Sequence, residues 1–482
     1  MLLHRRWLLP SPKSKLGCMP EAVDLFALGN AAIVAPAGHG KTEIIANVAA
    51  LGLRALILTH THAGVHAIRS RMKRLGVPRA RIAVDTIAGW SMRYAHAFPG
   101  VARPPEGMPQ GAEWDQLYRG ATLALGVKAV REVVAASYDR ILIDEYQDCG
   151  GLQHELAMAL STIVPTLIFG DPMQGIFEFA GATLDWDGQI HPSFPFAGTL
   201  ETPHRWAGKN PELGQWIAET RIKLMTGEPI DLADPRITYR ESDNAFDMGT
   251  LFDGLDGKEG SFAAIHCHKA ICYRLAKAAG GGYQAIEEIA AKRLGEFAAA
   301  WDQAGNAAGR LRAIKGLLED CFHKKQAIDS EPVDPQDAAV ADALNASARR
   351  LGDGNGAEAA VELLATSRKR PRWKLFRSEL WRDAERAMIE VAAGRAANMA
   401  VATASIRQRI SNSGRKLPKR TVSTPLLLKG LEFDHVVIPD ATHFANERQA
   451  QAKLFYVAIS RATRSLTISS SQRVIQLPPP KS

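Results

Sequence analysis

Ala35-Pro36-Ala37-Gly38-His39-Gly40-Lys41-Thr42 sets two glycines two residues apart, just ahead of a lysine and a hydroxyl residue. That pattern suits phosphate chemistry. Glycines let backbone N–H groups from Ala37, Gly38, His39 and Gly40 turn inward on a triphosphate, and a helix starting at Lys41 adds positive potential there. Lys41 would reach the β and γ phosphates, and the Thr42 hydroxyl would hold Mg²⁺. The first position is Ala35 where the general pattern has glycine. The alternative is a plain glycine turn with Lys and Thr there by chance, and later motifs argue against it.

A second cluster is Asp144-Glu145-Tyr146-Gln147-Asp148, directly after Ile141-Leu142-Ile143. An acid at the end of a buried strand is placed to ligate Mg²⁺ beside the phosphates, which makes Asp144 the second metal candidate. Glu145 can polarise the attacking water. Phosphoryl transfer needs little covalent help, so positioning and charge neutralisation would carry most of it.

Such groups need a scaffold that brings strand ends together. Ala31-Ala32-Ile33-Val34, Ala55-Leu56-Ile57-Leu58-Thr59, Arg140-Ile141-Leu142-Ile143-Asp144 and Thr166-Leu167-Ile168-Phe169-Gly170 are near-continuous apolar runs separated by helical periodicity. They predict a parallel sheet covered on both faces, whose ligands bind at the strands' carboxyl ends. A Pro/Gly-rich stretch after Ala97 and a helix from about Glu113 read as a small helical insertion. After Phe262-Ala263-Ala264-Ile265 the chain becomes Ala-rich and helical from about Tyr283 to Ala402, and strand-like sequence returns at Val422 and at His435-Val436-Val437-Ile438. A helical block between strand-bearing segments suggests a domain inserted into a second α/β domain.

Composition bounds the partners. In 482 residues, Lys+Arg (59) exceed Asp+Glu (51), which permits a nucleic-acid partner without demanding one. Five scattered cysteines argue for a reducing compartment. The brief apolar Trp7-Leu8-Leu9 is too short for a signal-peptide core, and no later run could span a bilayer. The expectation is a cytoplasmic protein with no membrane contact.

In their order along the chain, these motifs resemble superfamily 1A helicases of the UvrD/Rep/PcrA type. Asp-Glu-aromatic-Gln-Asp is that family's second motif. Thr59-His60-Thr61 resembles motif Ia, and Asp85-Thr86-Ile87-Ala88-Gly89 the DNA-facing motif after it. The run from Gly170-Asp171-Pro172-Met173-Gln174 to Ala182 resembles motif III, and Leu200-Glu201-Thr202-Pro203-His204-Arg205 motif IV. Lys429-Gly430-Leu431-Glu432-Phe433-Asp434 resembles motif V, and Tyr456-Val457-Ala458-Ile459-Ser460-Arg461-Ala462 motif VI.

The resemblance implies two RecA-like parallel-sheet P-loop domains with helical accessory insertions. The expected limits are 1–203 for the first domain, with its insertion at about 91–139. The second would be 204–283 with 411–482, and the inserted helical domain 284–410. ATP and Mg²⁺ are the implied cofactors. Gln174 would contact the γ-phosphate. Arg205 and Arg461 would reach over from the second α/β domain as arginine fingers. Glu432 would hold the ribose, and His204 stands where the family's tyrosine stacks on adenine. Thr59, His60 and Thr86 would lie on the DNA side, with Phe177 and Phe179 offering faces to unstacked bases. The implied activity is ATP-driven 3′–5′ movement on single-stranded or tailed duplex DNA, in repair or anti-phage defence.

Departures from the family pattern fall mostly on the DNA side. His60 and Ile87 replace aromatics, Ala180 sits where an arginine is common, and Leu426-Leu427-Leu428 lacks the polar pair before Lys429. Compact UvrD-like chains resemble the helicase component of two-gene anti-phage systems of the Gabija kind. A partner nuclease and a regulatory ATPase role are therefore the alternative.

Two further clusters stand outside the motifs. The run from Arg368 to Arg377, containing Arg370, Arg372 and Trp373 with Trp381 beyond, interleaves aromatics with positive charge as a DNA contact would. A solvated helix face or a subunit contact explains it equally well. His266-Cys267-His268 with Cys272 fits no zinc spacing and reads as an ordinary strand and helix.

Overall fold

The computed structural model describes residues 21–52, 54–107, 109, 111–176, 184–255, 257–279, 282–285, 289–324, 335–353, 356–369, 373–375, 377–413, 418–447 and 450–480. They form two compact units, one running up to Ala218 and one spanning Glu219–Pro479.

In the first unit, β1 (Ala31–Val34), β2 (Ala55–Thr59), β3 (Ile82–Thr86), β4 (Arg140–Ile143), β5 (Thr166–Gly170) and β6 (Phe196–Thr199) make one sheet. Its order is β3-β2-β4-β5-β1-β6, and every neighbouring pair is parallel. Successive strand residues point to opposite faces, and both sets are buried. Ala32, Val34, Leu56, Leu58, Ile141, Ile143 and Ile168 build one core. Ala31, Ile33, Ala55, Ile57, Leu142, Leu167 and Phe169 build the other. That is why these strands read as continuous apolar runs.

The helices that cover this sheet include the segment read as an insertion. Trp90 of helix Ile87–Ala97, Ala121 and Leu125 of Glu113–Leu125, and Val130 and Val134 of Lys128–Ser137 share the first core with the strands. β1 and β4 are not neighbours, because β5 lies between them. The phosphate loop and the acidic pair therefore leave strands two places apart, and the end of β5 opens between them.

The second unit repeats the plan. β8 (Thr238–Glu241), β9 (Phe262–Ile265), β10 (Gln284–Ala285), β13 (Arg420–Ser423), β14 (Phe433–Ile438) and β15 (Ala462–Ser470) form an all-parallel sheet in the order β10-β13-β9-β14-β15-β8. A short ribbon pairs β7 (Ile230–Asp231) with β16 (Val474–Ile475). Among the described residues, six helices from Ile289–Asp302 to Met399–Ser413, with the antiparallel pair β11 (Phe322–Lys324) and β12 (Trp373–Leu375), lie in sequence between the adjacent strands β10 and β13. They have their own core around Phe297, Trp301, Leu317, Leu363 and Met388. Trp381, read as part of a basic-aromatic surface, belongs to that core and is 1% exposed. Among the described residues, no helix is long and apolar enough to cross a membrane.

Candidate active site

The phosphate loop joins β1 to helix Lys41–Leu51. Gly38 (φ 76°) and Gly40 (φ 80°) hold the left-handed conformation that side chains disfavour. A Cβ on Gly38 would come 2.7 Å from the Trp206 ring, and one on Gly40 would come 3.0 Å from the His204 ring. Glycine is needed at Gly38 on both counts. The His39 ring turns back to Ala37, its Nδ1 lying 2.8 Å from the carbonyl oxygen.

Lys41 closes the site. Its Nζ stands 2.8 Å from Asp144 Oδ1 and 2.5 Å from Glu145 Oε1. Burial alone would lower the ammonium pKa, but the Asp144 and Glu145 carboxylates outweigh it and the net shift is upward. Burial raises the Asp144 carboxyl pKa against the pull of Lys41. Charge is thus concentrated at one point, buried at Lys41 and Asp144 and partly open to solvent at Glu145. Thr42 follows in the first helical turn, half-buried.

Glu145 occupies the left-handed region (φ 56°), unusual for a residue with a side chain. A hydrogen-bond chain holds it there. The Gln147 amide donates to the Glu145 carboxylate, and Gln147 Oε1 accepts from the Asp171 backbone N–H at 3.1 Å. Asp171 in turn accepts from Gln174 Nε2 at 3.1 Å. Gln174 is buried at the end of β5, between the two motifs. Gln147 and Asp171 as linkers were not singled out from sequence, although both lie inside quoted motifs.

His204 and Arg205 belong to the first unit, whereas the sequence reading begins the second domain at 204. The Arg205 backbone N–H donates to Gly38 O at 3.0 Å, and its guanidinium lies 5.5 Å from the Trp206 ring centroid. Arg205 is therefore built against the phosphate loop of its own unit.

The residues read as DNA-side divide. Thr59 and Thr86 end the paired strands β2 and β3 in register. Both are buried, and the Thr86 hydroxyl caps the next helix by accepting from Gly89 N at 2.9 Å. His60 Nε2 lies 3.4 Å from Cys149 Sγ, just after the acidic motif. Trp373 is half-buried on β12, its ring 6.0 Å from that of Phe322. Phe177, Phe179, Arg370 and Arg372 lie outside the described residues.

In the second unit, Glu432 is exposed just before β14. Arg461 is 1% exposed and bonded inward. It donates to Val457 O (2.8 Å), Leu431 O (3.1 Å) and Ser460 Oγ (2.7 Å). Within its unit it ties the Glu432 segment to helix Gln451–Ile459.

A parallel sheet with a glycine loop after one strand and an acid pair two strands away, converging on one lysine, defines a RecA-like P-loop α/β unit. Residues 107–194 match the UvrD/REP helicase N-terminal domain, and residues 422–469 match the UvrD-like helicase C-terminal domain. Two segments, one in each unit, are thus similar to UvrD-like helicase domains. Among solved structures, an arterivirus nonstructural protein 10 (helicase) in complex with DNA is 15% identical, over 49% of this chain and 47% of that one, with a TM-score of 0.26. Another structure of arterivirus nonstructural protein 10 (helicase) is 11% identical, over 91% of this chain and 59% of that one, with a TM-score of 0.32. This chain spans about half the length of those proteins. No curated protein sequence matches it.

Proposed function

We propose that the chain is an ATP-dependent 3′–5′ DNA translocase or helicase that couples hydrolysis to movement on single-stranded DNA. The observation that carries the reading is the convergence of Lys41 on Asp144 and Glu145. Side-chain-free turns at Gly38 and Gly40 and a buried lysine at the head of a helix suit a triphosphate with Mg²⁺. ATP with Mg²⁺ supplies the phosphoanhydride bond to be hydrolysed.

The chain's own residues do the rest. Lys41 holds phosphate charge, while Thr42 and Asp144 hold the cation. Glu145 takes the proton of the attacking water, aimed by Gln147. Gln174, bonded to Asp171, lies where the state of the phosphate can pass into the segment after β5. Arg205 supplies positive charge from beside the loop. Polarity, and base contacts through Phe177 and Phe179, rest on the family resemblance.

The test is ATP hydrolysis by the purified chain with and without single-stranded DNA, using Lys41→Ala and Glu145→Gln as controls. Stimulation by DNA that both changes abolish supports the reading, and displacement on 3′- but not 5′-tailed duplex supports its polarity. Hydrolysis indifferent to DNA overturns the autonomous motor. Thr59 and Thr86, expected on the DNA side, are buried, and the second reading, resting on the family resemblance, is an ATPase subunit of a nuclease complex. Stimulation appearing only with a co-purifying nuclease would support that reading.

A further inference from the structure

A second cluster of reactive side chains stands far from the phosphate loop in sequence. His266-Cys267-His268 leaves the carboxyl end of β9, and Asp440, His443 and Glu447 follow the carboxyl end of β14, its parallel neighbour. Carboxyl ends of adjacent parallel strands are where such sheets collect ligands.

Within the cluster, His268 is shared by two sets, His266 with His443 and Cys267 with Glu447, and in each set the ligand atoms lie within 4.8 Å of one another. His266 Nδ1 accepts from the His268 backbone N–H at 2.9 Å, and His266 Nε2 faces His443 Nδ1 at 2.8 Å. His443 Nε2 faces Asp440 Oδ2 at 3.4 Å. These rings form a hydrogen-bonded chain with their nitrogens engaged. His268 stacks on that chain, 5.4 Å from the His443 centroid with planes 28° apart, and its Nε2 lies 3.1 Å from Glu447 Oε1. The ligand atoms of Cys267, His268 and Glu447 all lie within 4.8 Å of one another. Zinc binds nitrogen and oxygen at about 2.0–2.2 Å and sulfur at about 2.3 Å, so tetrahedral partners sit roughly 3.3–3.7 Å apart. The His268–Glu447 pair is already within a few tenths of an ångström of that spacing. His268 and Glu447 are partly exposed, so an ion can enter. Cys272, the other cysteine of the motif, is buried and donates to His266 O, away from the cluster.

We infer that Cys267, His268 and Glu447 bind one divalent transition-metal cation of the zinc class, with water in the fourth position. One thiolate, one imidazole and one carboxylate suit zinc better than magnesium or calcium, which prefer oxygen throughout. The ion would staple the loop after β9 to the loop after β14.

The test uses the full chain, purified without a histidine tag and stripped with EDTA. Titration with Co²⁺ should give tetrahedral d–d bands and a thiolate-to-cobalt charge-transfer band, saturating at one equivalent and bleached by Zn²⁺. Cys267→Ser should remove the charge-transfer band, and Glu447→Gln should lower Co²⁺ affinity by at least about tenfold. Zn²⁺ should also raise the thermal midpoint of the stripped chain. If Cys267→Ser fails to fold, the wild-type spectrum and the Glu447 variant, at a partly exposed side chain, still decide. Absence of a cobalt spectrum at one equivalent overturns the site. A spectrum that survives both changes but is lost in His443→Gln overturns this ligand set.

Discussion

Gln147 donates to the Glu145 carboxylate and accepts the Asp171 backbone N–H, so one side chain ties the end of β4 to the end of β5. Glu145 holds a left-handed backbone, and Gln147 aims its carboxylate from one side while Lys41 meets it from another. Gln147→Ala should lower kcat for ATP by up to about 100-fold, since small misplacements of a base are costly. The KM for ATP should change little, because Gln147 holds no phosphate. Steady-state kinetics with a nucleotide-binding titration check both halves.

Lys41→Ala should do more than abolish hydrolysis. It leaves Asp144 buried without its cation, which costs about 3–5 kcal/mol for a fully buried pair and less here because Glu145 is partly exposed. Adding Asp144→Asn should recover part of that loss, since a neutral amide needs no counter-ion. Urea denaturation of the two single variants and the double variant gives the coupling directly.

Gly38→Ala combines a strained φ with a Cβ pressed onto Trp206. A loss of about 1–3 kcal/mol is expected from the backbone alone. Nucleotide binding should weaken as well, because the loop cannot keep its turn. Chemical denaturation and fluorescence-detected nucleotide binding measure the two effects.

His154 carries a pH dependence. Burial lowers its pKa, and its Nδ1 lies 2.6 Å from the Tyr146 hydroxyl in the core under the acidic motif. A group whose folded pKa is depressed binds fewer protons in the folded state than in the unfolded one. Stability should therefore fall as pH drops below about 6.5, the unperturbed histidine value. His154→Gln should flatten that part of the curve. Thermal midpoints between pH 7 and 5 test it.

Arg461→Ala should destabilise the second unit by about 1–3 kcal/mol, the usual cost of orphaning buried acceptors. Arg461→Lys should recover little of it, because an ammonium cannot span three separate acceptors. If Arg461 also acts on phosphate, both variants lose hydrolysis beyond what their stability explains. Denaturation curves beside kinetics at low temperature separate the two.

Much of the candidate site's local structure was legible in consecutive residues. Eight residues from Ala35 to Thr42 carry their own geometry, because a glycine loop between a strand and a helix depends on local φ and ψ. Asp144 and Glu145 were readable because an apolar run before an acid predicts a strand end. The doubly covered parallel sheets followed from the near-continuous apolar runs, as did the helical block inserted before Arg420. Tertiary structure alone decided which strand ends meet. It put β5 between β1 and β4, so that Gln147, Asp171 and Gln174 form a hydrogen-bonded chain from the acidic motif to the end of β5. It built Arg205 against the phosphate loop, turned Arg461 inward, buried Trp381, and brought Glu447 to Cys267 and His268. Sequence patterns report which face of its own element a residue occupies. Distances between residues a hundred or more positions apart are set by strand order and crossover paths, which no local pattern records.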